Sequence, residues 1–144
     1  MQKKFPKARC FGFGDLYFPE WEEQRNTTFI HAPGEDFSRY FKNGSIDFMY
    51  SYCGLEHLNL GEKVQEYYCM LANKLALEGE LFNHGLYSII WRVFGWEAQH
   101  KIYQASLKAQ KKPYKVDFTW ELGKKKFKIT YQSRNSILII KRIE

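Results

Sequence analysis

The feature that most constrains the fold is a change in hydrophobic period along the chain. Val64, Tyr67, Tyr68, Leu71 and Leu75 recur at i, i+3, i+4, i+7 and i+11, which places them on one stripe of a helix. Asn59 can cap the start of that helix, with Glu62 three residues on, and Gly79 can end it. The segments on either side have a different rhythm. Ile46–Ser51 and Glu80–Asn83 are short apolar runs of strand type, and Lys42-Asn-Gly-Ser45 supplies a turn before the first. Near the end of the chain the period becomes two. Val116, Phe118, Trp120 and Leu122 alternate with polar residues, as do Phe127, Ile129 and Tyr131, and Gly123-Lys124 can turn between the two runs. Ile137–Ile140 is continuously apolar, the pattern of a strand covered on both faces.

The first forty residues and the middle of the chain complete the series. Arg9-Cys-Phe-Gly-Phe-Gly-Asp15 reads as a strand ending in an acid. Pro19 and Glu20-Trp-Glu-Glu23 follow it as a turn and a short helix. Thr27–Ala32 reads as a second strand, stopped by Pro33-Gly34. Leu86–Phe94 and Glu97–Gln110 read as helices broken by Gly95. Strands alternating with helices predict an α/β sandwich with a mostly parallel sheet and a terminal antiparallel strand pair. At 144 residues the chain is expected to form a single domain over positions 1–144.

Composition narrows the function classes. Apolar residues make up 44% and aromatic residues 18% of the chain, far from the signature of disorder. The longest near-continuous apolar stretch, Leu86–Phe94, contains Ser88 and Arg92 and falls short of the roughly 20 residues that a membrane-spanning helix needs. The start, Met1-Gln-Lys-Lys-Phe-Pro-Lys7, has no apolar core of a secretory signal. The three cysteines, Cys10, Cys53 and Cys69, form no C-x-x-C pair, and the four histidines are scattered singly. No metal site is expected, and a cytoplasmic protein with reduced thiols is.

Charge is unevenly placed. Residues 1–98 carry 10 basic and 13 acidic side chains, a net of −3, and residues 99–144 carry 12 and 3, a net of +9. Together these give the overall +6. The cations Lys108, Lys111, Lys112, Lys115, Lys124, Lys125, Lys126 and Lys128 suit either a polyanion partner such as nucleic acid or a lysine-coated sheet edge that resists pairing with neighbours. Without base-stacking motifs, the edge reading is the stronger one.

Several segments, in order, resemble class I S-adenosylmethionine-dependent methyltransferases. Gly44-Ser-Ile-Asp-Phe-Met-Tyr-Ser-Tyr-Cys-Gly-Leu-Glu-His57 is similar to that family's fourth strand and the leucine–glutamate–histidine after it. Met70–Phe82 is similar to the passage into the fifth strand. Phe29-Ile-His-Ala-Pro-Gly-Glu-Asp36 resembles the third strand and its acidic loop, and Phe11-Gly-Phe-Gly-Asp15 the second strand. Phe127–Ile140 resembles the sixth and seventh. The likeness spans about residues 8–142.

The resemblance implies a Rossmann-like methyltransferase sandwich that binds S-adenosylmethionine and methylates a small-molecule or sugar-like acceptor. It implies that Asp15 accepts from both ribose hydroxyls, since a carboxylate offers only acceptors to a diol. Glu35 or Asp36 would sit beside the adenine. Tyr50, Ser51 and Tyr52 would line the pocket, and His57 would be the general base. Each has a plainer alternative: Asp15 as a turn residue, Glu35 and Asp36 as a helix start, the tyrosines as core, His57 as a capping side chain.

One departure from the family stands out. About 20 residues separate Gly14 from Glu35, too few for Gly12-Phe-Gly14 to be the family's opening glycine loop. The first strand and that loop are therefore expected to be missing, leaving an N-terminally truncated domain. The gap would fall between the second and fourth strands, which must then pair directly or take another partner. A non-catalytic relative, or a homo-oligomer that completes its sheet with a second chain, is the alternative this opens.

Overall fold

The computed structural model describes residues 9–14, 27–52, 60–84 and 90–144. Two compact units divide the chain, residues 1–40 and 41–144. In the first, β1 (Cys10–Gly14) pairs in parallel with β2 (Thr27–His31), Cys10 opposite Thr27 through Gly14 opposite His31. Pro33 is extended (φ −60°, ψ 147°) and begins a 3₁₀ turn, Gly34–Asp36, which runs into α1 (Phe37–Tyr40). Phe13 meets Phe37 and Tyr40 edge-on, with ring centroids 5.1 and 5.6 Å apart. These contacts pin the acidic turn to the β1 end of its own unit.

The second unit is a five-stranded mixed sheet in the order β3-β4-β7-β6-β5. Its strands are β3 (Ile46–Tyr52), β4 (Leu75–His84), β5 (Lys115–Leu122), β6 (Lys125–Gln132) and β7 (Ile137–Arg142). β3 and β4 are parallel, joined by the crossover helix α2 (Val64–Lys74); the other three pairings are antiparallel. The α/β class is as expected from the sequence. The antiparallel part, however, comprises three strands rather than a pair, because Lys115–Leu122 adds an outer strand beyond β6.

Side-chain alternation gives the sheet two unlike faces. Leu81, Asn83, Leu138, Ile140, Phe127, Ile129 and Tyr131 share one face and are buried. Three helices cover it: α2, α3 (Ile90–Phe94) and α4 (Trp96–Ala109). Tyr68 of α2 reaches Asn83 on this face, and Phe94 of α3 packs against Phe118 and Trp120 of β5. The stripe read from the sequence is this core, with Val64, Tyr68, Leu71 and Leu75 all buried. The opposite face carries Phe48, Tyr50, Phe82, His84, Ile137 and Ile139, all exposed or half-buried. Ile137 and Ile139 are thus not fully covered, contrary to the expectation from an unbroken apolar run. Continuous hydrophobicity there reflects β propensity as well as burial.

The other difference lies at the end of α2. The helix stops at Lys74, not at Gly79, and Leu75 (φ −68°, ψ 133°) already belongs to β4 opposite Ile46. From Ile46 to Phe48 the first strand advances two residues while its partner advances five, from Leu75 to Glu80. The surplus is a bulge in which Glu78 takes φ +66° and the Gly79 backbone lies close against its neighbours. Ala-Leu-Glu favours helix locally, but burial of Leu75 at 0% exposure outweighs a propensity difference of a few tenths of a kcal/mol per residue.

Candidate functional site

The crossover through α2 puts the carboxyl ends of β3 and β4 side by side, the place where open α/β sheets bind ligands. Ser51 lies opposite Asn83 and Tyr52 opposite His84. Tyr50 and His84 are diagonal neighbours on the opposite face, rings edge-to-face at 5.5 Å, with Tyr50 Oη 3.4 Å from His84 Nε2. That contact is long for a hydrogen bond. Tyr50 is 53% exposed, so its hydroxyl is accessible from outside. Ser51 points to the other face, beside Asn83, because strand residues alternate. Tyr50 and Ser51, both expected to line the pocket, stand on opposite faces of β3.

Asn83 is fully buried and donates through Nδ2 to Tyr68 Oη at 3.3 Å, while its Oδ1 has no hydrogen-bond partner among the described residues. Reading the sequence missed His84, because the apolar run of β4 ends at Asn83. The signal was the histidine at the carboxyl end of a strand parallel to Ile46–Tyr52.

In the first unit the acidic turn presents Glu35 exposed and Asp36 half-buried. The Asp36 amide donates to Pro33 O at 2.9 Å, and the Asp36 carboxylate lies 3.9 Å from Arg39 Nε. Glu35 thus has the more accessible carboxylate, able to accept from an amino group. Asp15 directly follows the last residue of β1 and His57 belongs to the stretch 53–59; both lie outside the described residues. The same holds for the side chain of Tyr52. Glu35 and Asp36 stand in one unit and Tyr50 and Ser51 in the other.

Basic side chains gather at both ends of the sheet. At the amino ends of β3 and β4, Lys125 Nζ donates to Asn73 Oδ1 at 3.0 Å and Arg142 Nη1 to Leu75 O at 3.0 Å. Cations there complement the carboxyl end of α2. Partial burial first, then Arg142 and Lys74 nearby, push the Lys125 pKa down from its ordinary value. At the carboxyl end a groove of about 530 Å³ opens between the α4–β5 turn and the β6–β7 turn, lined by Lys111, Lys112 and Arg134 among others.

Among the described residues no group of three or more His, Cys, Asp or Glu could hold a metal ion. No described helix is long and apolar enough to cross a membrane. Cys69 is a free, half-buried thiol.

No family model matches the chain, and no curated protein does. Among solved structures, the chain is similar to the N-methyltransferase NodS of Bradyrhizobium japonicum WM9, with TM-score 0.46 and 11% identity over 98% of this chain and 76% of that one. It is also similar to a protein of Corynebacterium glutamicum, with TM-score 0.40 and 9% identity over 89% of this chain. The match spans half of the Corynebacterium protein's length. Likeness at this level assigns neither ligand nor activity.

Proposed function

We propose that the protein is methyltransferase-like, binding S-adenosylmethionine at the carboxyl ends of its parallel strands and methylating a small-molecule or sugar-like acceptor. The observation that carries this reading is the parallel β3–β4 pair around α2, with Tyr50 and His84 at its carboxyl end. The chain segment that builds it, Gly44–Phe82, is the one with the most specific resemblance to the family.

The cofactor supplies an already activated sulfonium methyl group, so the protein's work is alignment. Asp15 would hold the ribose diol and Glu35 or Asp36 the adenine. Tyr50, Ser51 and Tyr52 would flank the methionine portion and the acceptor. An acceptor N–H or O–H must lose its proton as its lone pair forms the bond to carbon and the C–S pair returns to sulfur. His57 is the base implied by the resemblance. His84, beside the Tyr50 hydroxyl, is a second imidazole able to take that proton near neutrality.

Calorimetric titration of the whole chain with S-adenosylmethionine and S-adenosylhomocysteine tests the reading. Saturable binding is expected, weakened about tenfold to a hundredfold by Asp15→Ala, the loss of a hydrogen bond to a charged group. Absence of both heat and thermal stabilisation at millimolar ligand would overturn it.

A second reading has its own observation. Among the described residues β3 pairs only with β4, and Phe48 (37% exposed) and Tyr50 stand exposed on it. Such an edge is a template for strand pairing, here with a second copy of the chain. Light scattering across a concentration series would show a dimer under this reading and a constant monomer mass without it.

A further inference from the structure

The groove at the β5–β6–β7 end has the chemistry of an anion site. Lys111 and Lys112 come from the turn after α4, and Arg134 from the turn between β6 and β7. The two turns are tied together. The Tyr114 amide donates to Ser133 Oγ at 2.8 Å, and the Ser133 amide donates to Tyr114 O at 3.0 Å. Both turns hold left-handed residues, Gln110 and Lys111 in one (φ +48° and +70°), Asn135 and Ser136 in the other (φ +64° and +47°).

Three cations and no acid line the groove, along with the hydroxyl groups of Ser106, Tyr114 and Ser133. None of the three takes part in an ion pair among the described residues. The plainer reading is that they offset the negative end of the α4 dipole. That end carries only about half a unit charge, which leaves most of three positive charges uncompensated. Guanidinium and ammonium donors with added hydroxyls match the oxygens of a phosphate dianion.

The groove's place in the sheet says what the anion belongs to. His84 pairs across to Ile137, and Ile137 to Gln132, which pairs with Lys115. Groove and His84 therefore share the carboxyl-end rim of β3 and β4, separated by two to three strand spacings, roughly 10–15 Å. The geometry points to a phosphate-monoester site that anchors a phosphorylated small molecule, its far end reaching the Tyr50–His84 rim. That the anchored molecule is the methyl acceptor rests on the methyl-transfer reading; the phosphate site itself does not.

A nucleic-acid track fits less well. The lysines of the Gly123-Lys124 turn lie at the opposite end of the β5–β6 ladder, seven register steps from Lys115, or about 23 Å away. The positive charge is thus split into separate clusters rather than drawn into one path.

The test uses the whole chain and phenyl phosphate as probe, followed by amide chemical shifts. Shifts at residues 110–114 and 133–136 with saturable binding are expected. Arg134→Gln, and separately Lys111→Gln with Lys112→Gln, should weaken binding about tenfold or more, the strength of a charge-assisted contact. Lys124→Gln with Lys126→Gln removes equal charge far from the groove and should change affinity less than twofold. Lys111, Lys112, Lys124 and Arg134 are exposed and Lys126 is half-buried, and unchanged melting temperatures will show that the variants fold.

No saturable binding, or equal weakening by the distant pair, would overturn the inference. So would an octathymidylate that binds more tightly than phenyl phosphate with a steep salt dependence, the mark of a polyanion surface. Groove-dependent phosphate binding without any binding of S-adenosylhomocysteine would instead sink the methyl-transfer reading and leave the site standing.

Discussion

Asn83 and Tyr68 show how much a single polar pair can set inside this core. Both side chains are buried, Asn83 at 0% and Tyr68 at 1% exposure, and each lies in the layer between α2 and β4. Tyr68→Phe would remove the partner of Asn83 Nδ2, while Oδ1 already has none among the described residues. Leaving a buried amide unsatisfied costs about 1–3 kcal/mol, and urea unfolding of Tyr68→Phe should show a loss of that size. Adding Asn83→Leu to it should recover most of the loss, since an apolar pair leaves nothing to satisfy. A double variant less stable than Tyr68→Phe would contradict this account.

Cys69 gives a pH dependence at the same scale. Burial, and secondarily the Glu66 carboxylate, raise its thiol pKa. The folded state therefore holds the thiol proton more tightly than the unfolded chain does. Its contribution to stability is complete below the ordinary thiol range and is lost as pH rises through the raised folded value. In a Cys10→Ser, Cys53→Ser background, iodoacetamide alkylation of Cys69 should have a midpoint above that of an unstructured cysteine peptide. A midpoint at or below the peptide's would be the contrary result.

At the level of elements, the parts built by strict periodicity were legible in the sequence. The α2 stripe, the alternation in β5 and β6, and the break at Gly95 (φ +97°) all arise from local rules. The Leu75–Gly79 bulge did not, because it is decided by pairing with Ile46, 29 residues before Leu75. A helix-forming sequence gives no sign that a strand will claim it. The same bulge supplies a prediction. A Cβ at Gly79 would lie 2.8 Å from both Ala76 O and Ile46 O, and backbone atoms cannot rotate away. Gly79→Ala should therefore destabilise by about 1–3 kcal/mol, as overpacking does. Chemical denaturation with an unchanged midpoint would show that the bulge is not packed as described. Leu71→Ala in α2, at 3% exposure, should lose about 2–5 kcal/mol through its cavity.

For the whole molecule, the sequence carried the order of strands along the chain better than the facing of their side chains. Glu35, Asp36, Tyr50 and Ser51 were named through the resemblance, which says nothing of the pleat that places Tyr50 and Ser51 on opposite faces. His84 and the Lys111–Arg134 groove come from elements far apart in sequence, and only the β4–β7–β6 pairing brings them to one rim. The uneven charge of the chain foreshadowed the groove without locating it. The sheet's two faces carry the largest consequence: one is covered by α2, α3 and α4, while the other leaves Phe48 and Tyr50 exposed beside the rim.

A nucleoside cofactor is proposed to bind where β3 and β4 end. Amide chemical shifts during titration with S-adenosylhomocysteine test it most directly. Saturable shifts centred on Tyr50–Ser51 are expected, with the Gly123-Lys124 turn unmoved. Shifts confined to the basic hairpin, or none at millimolar ligand, would contradict it.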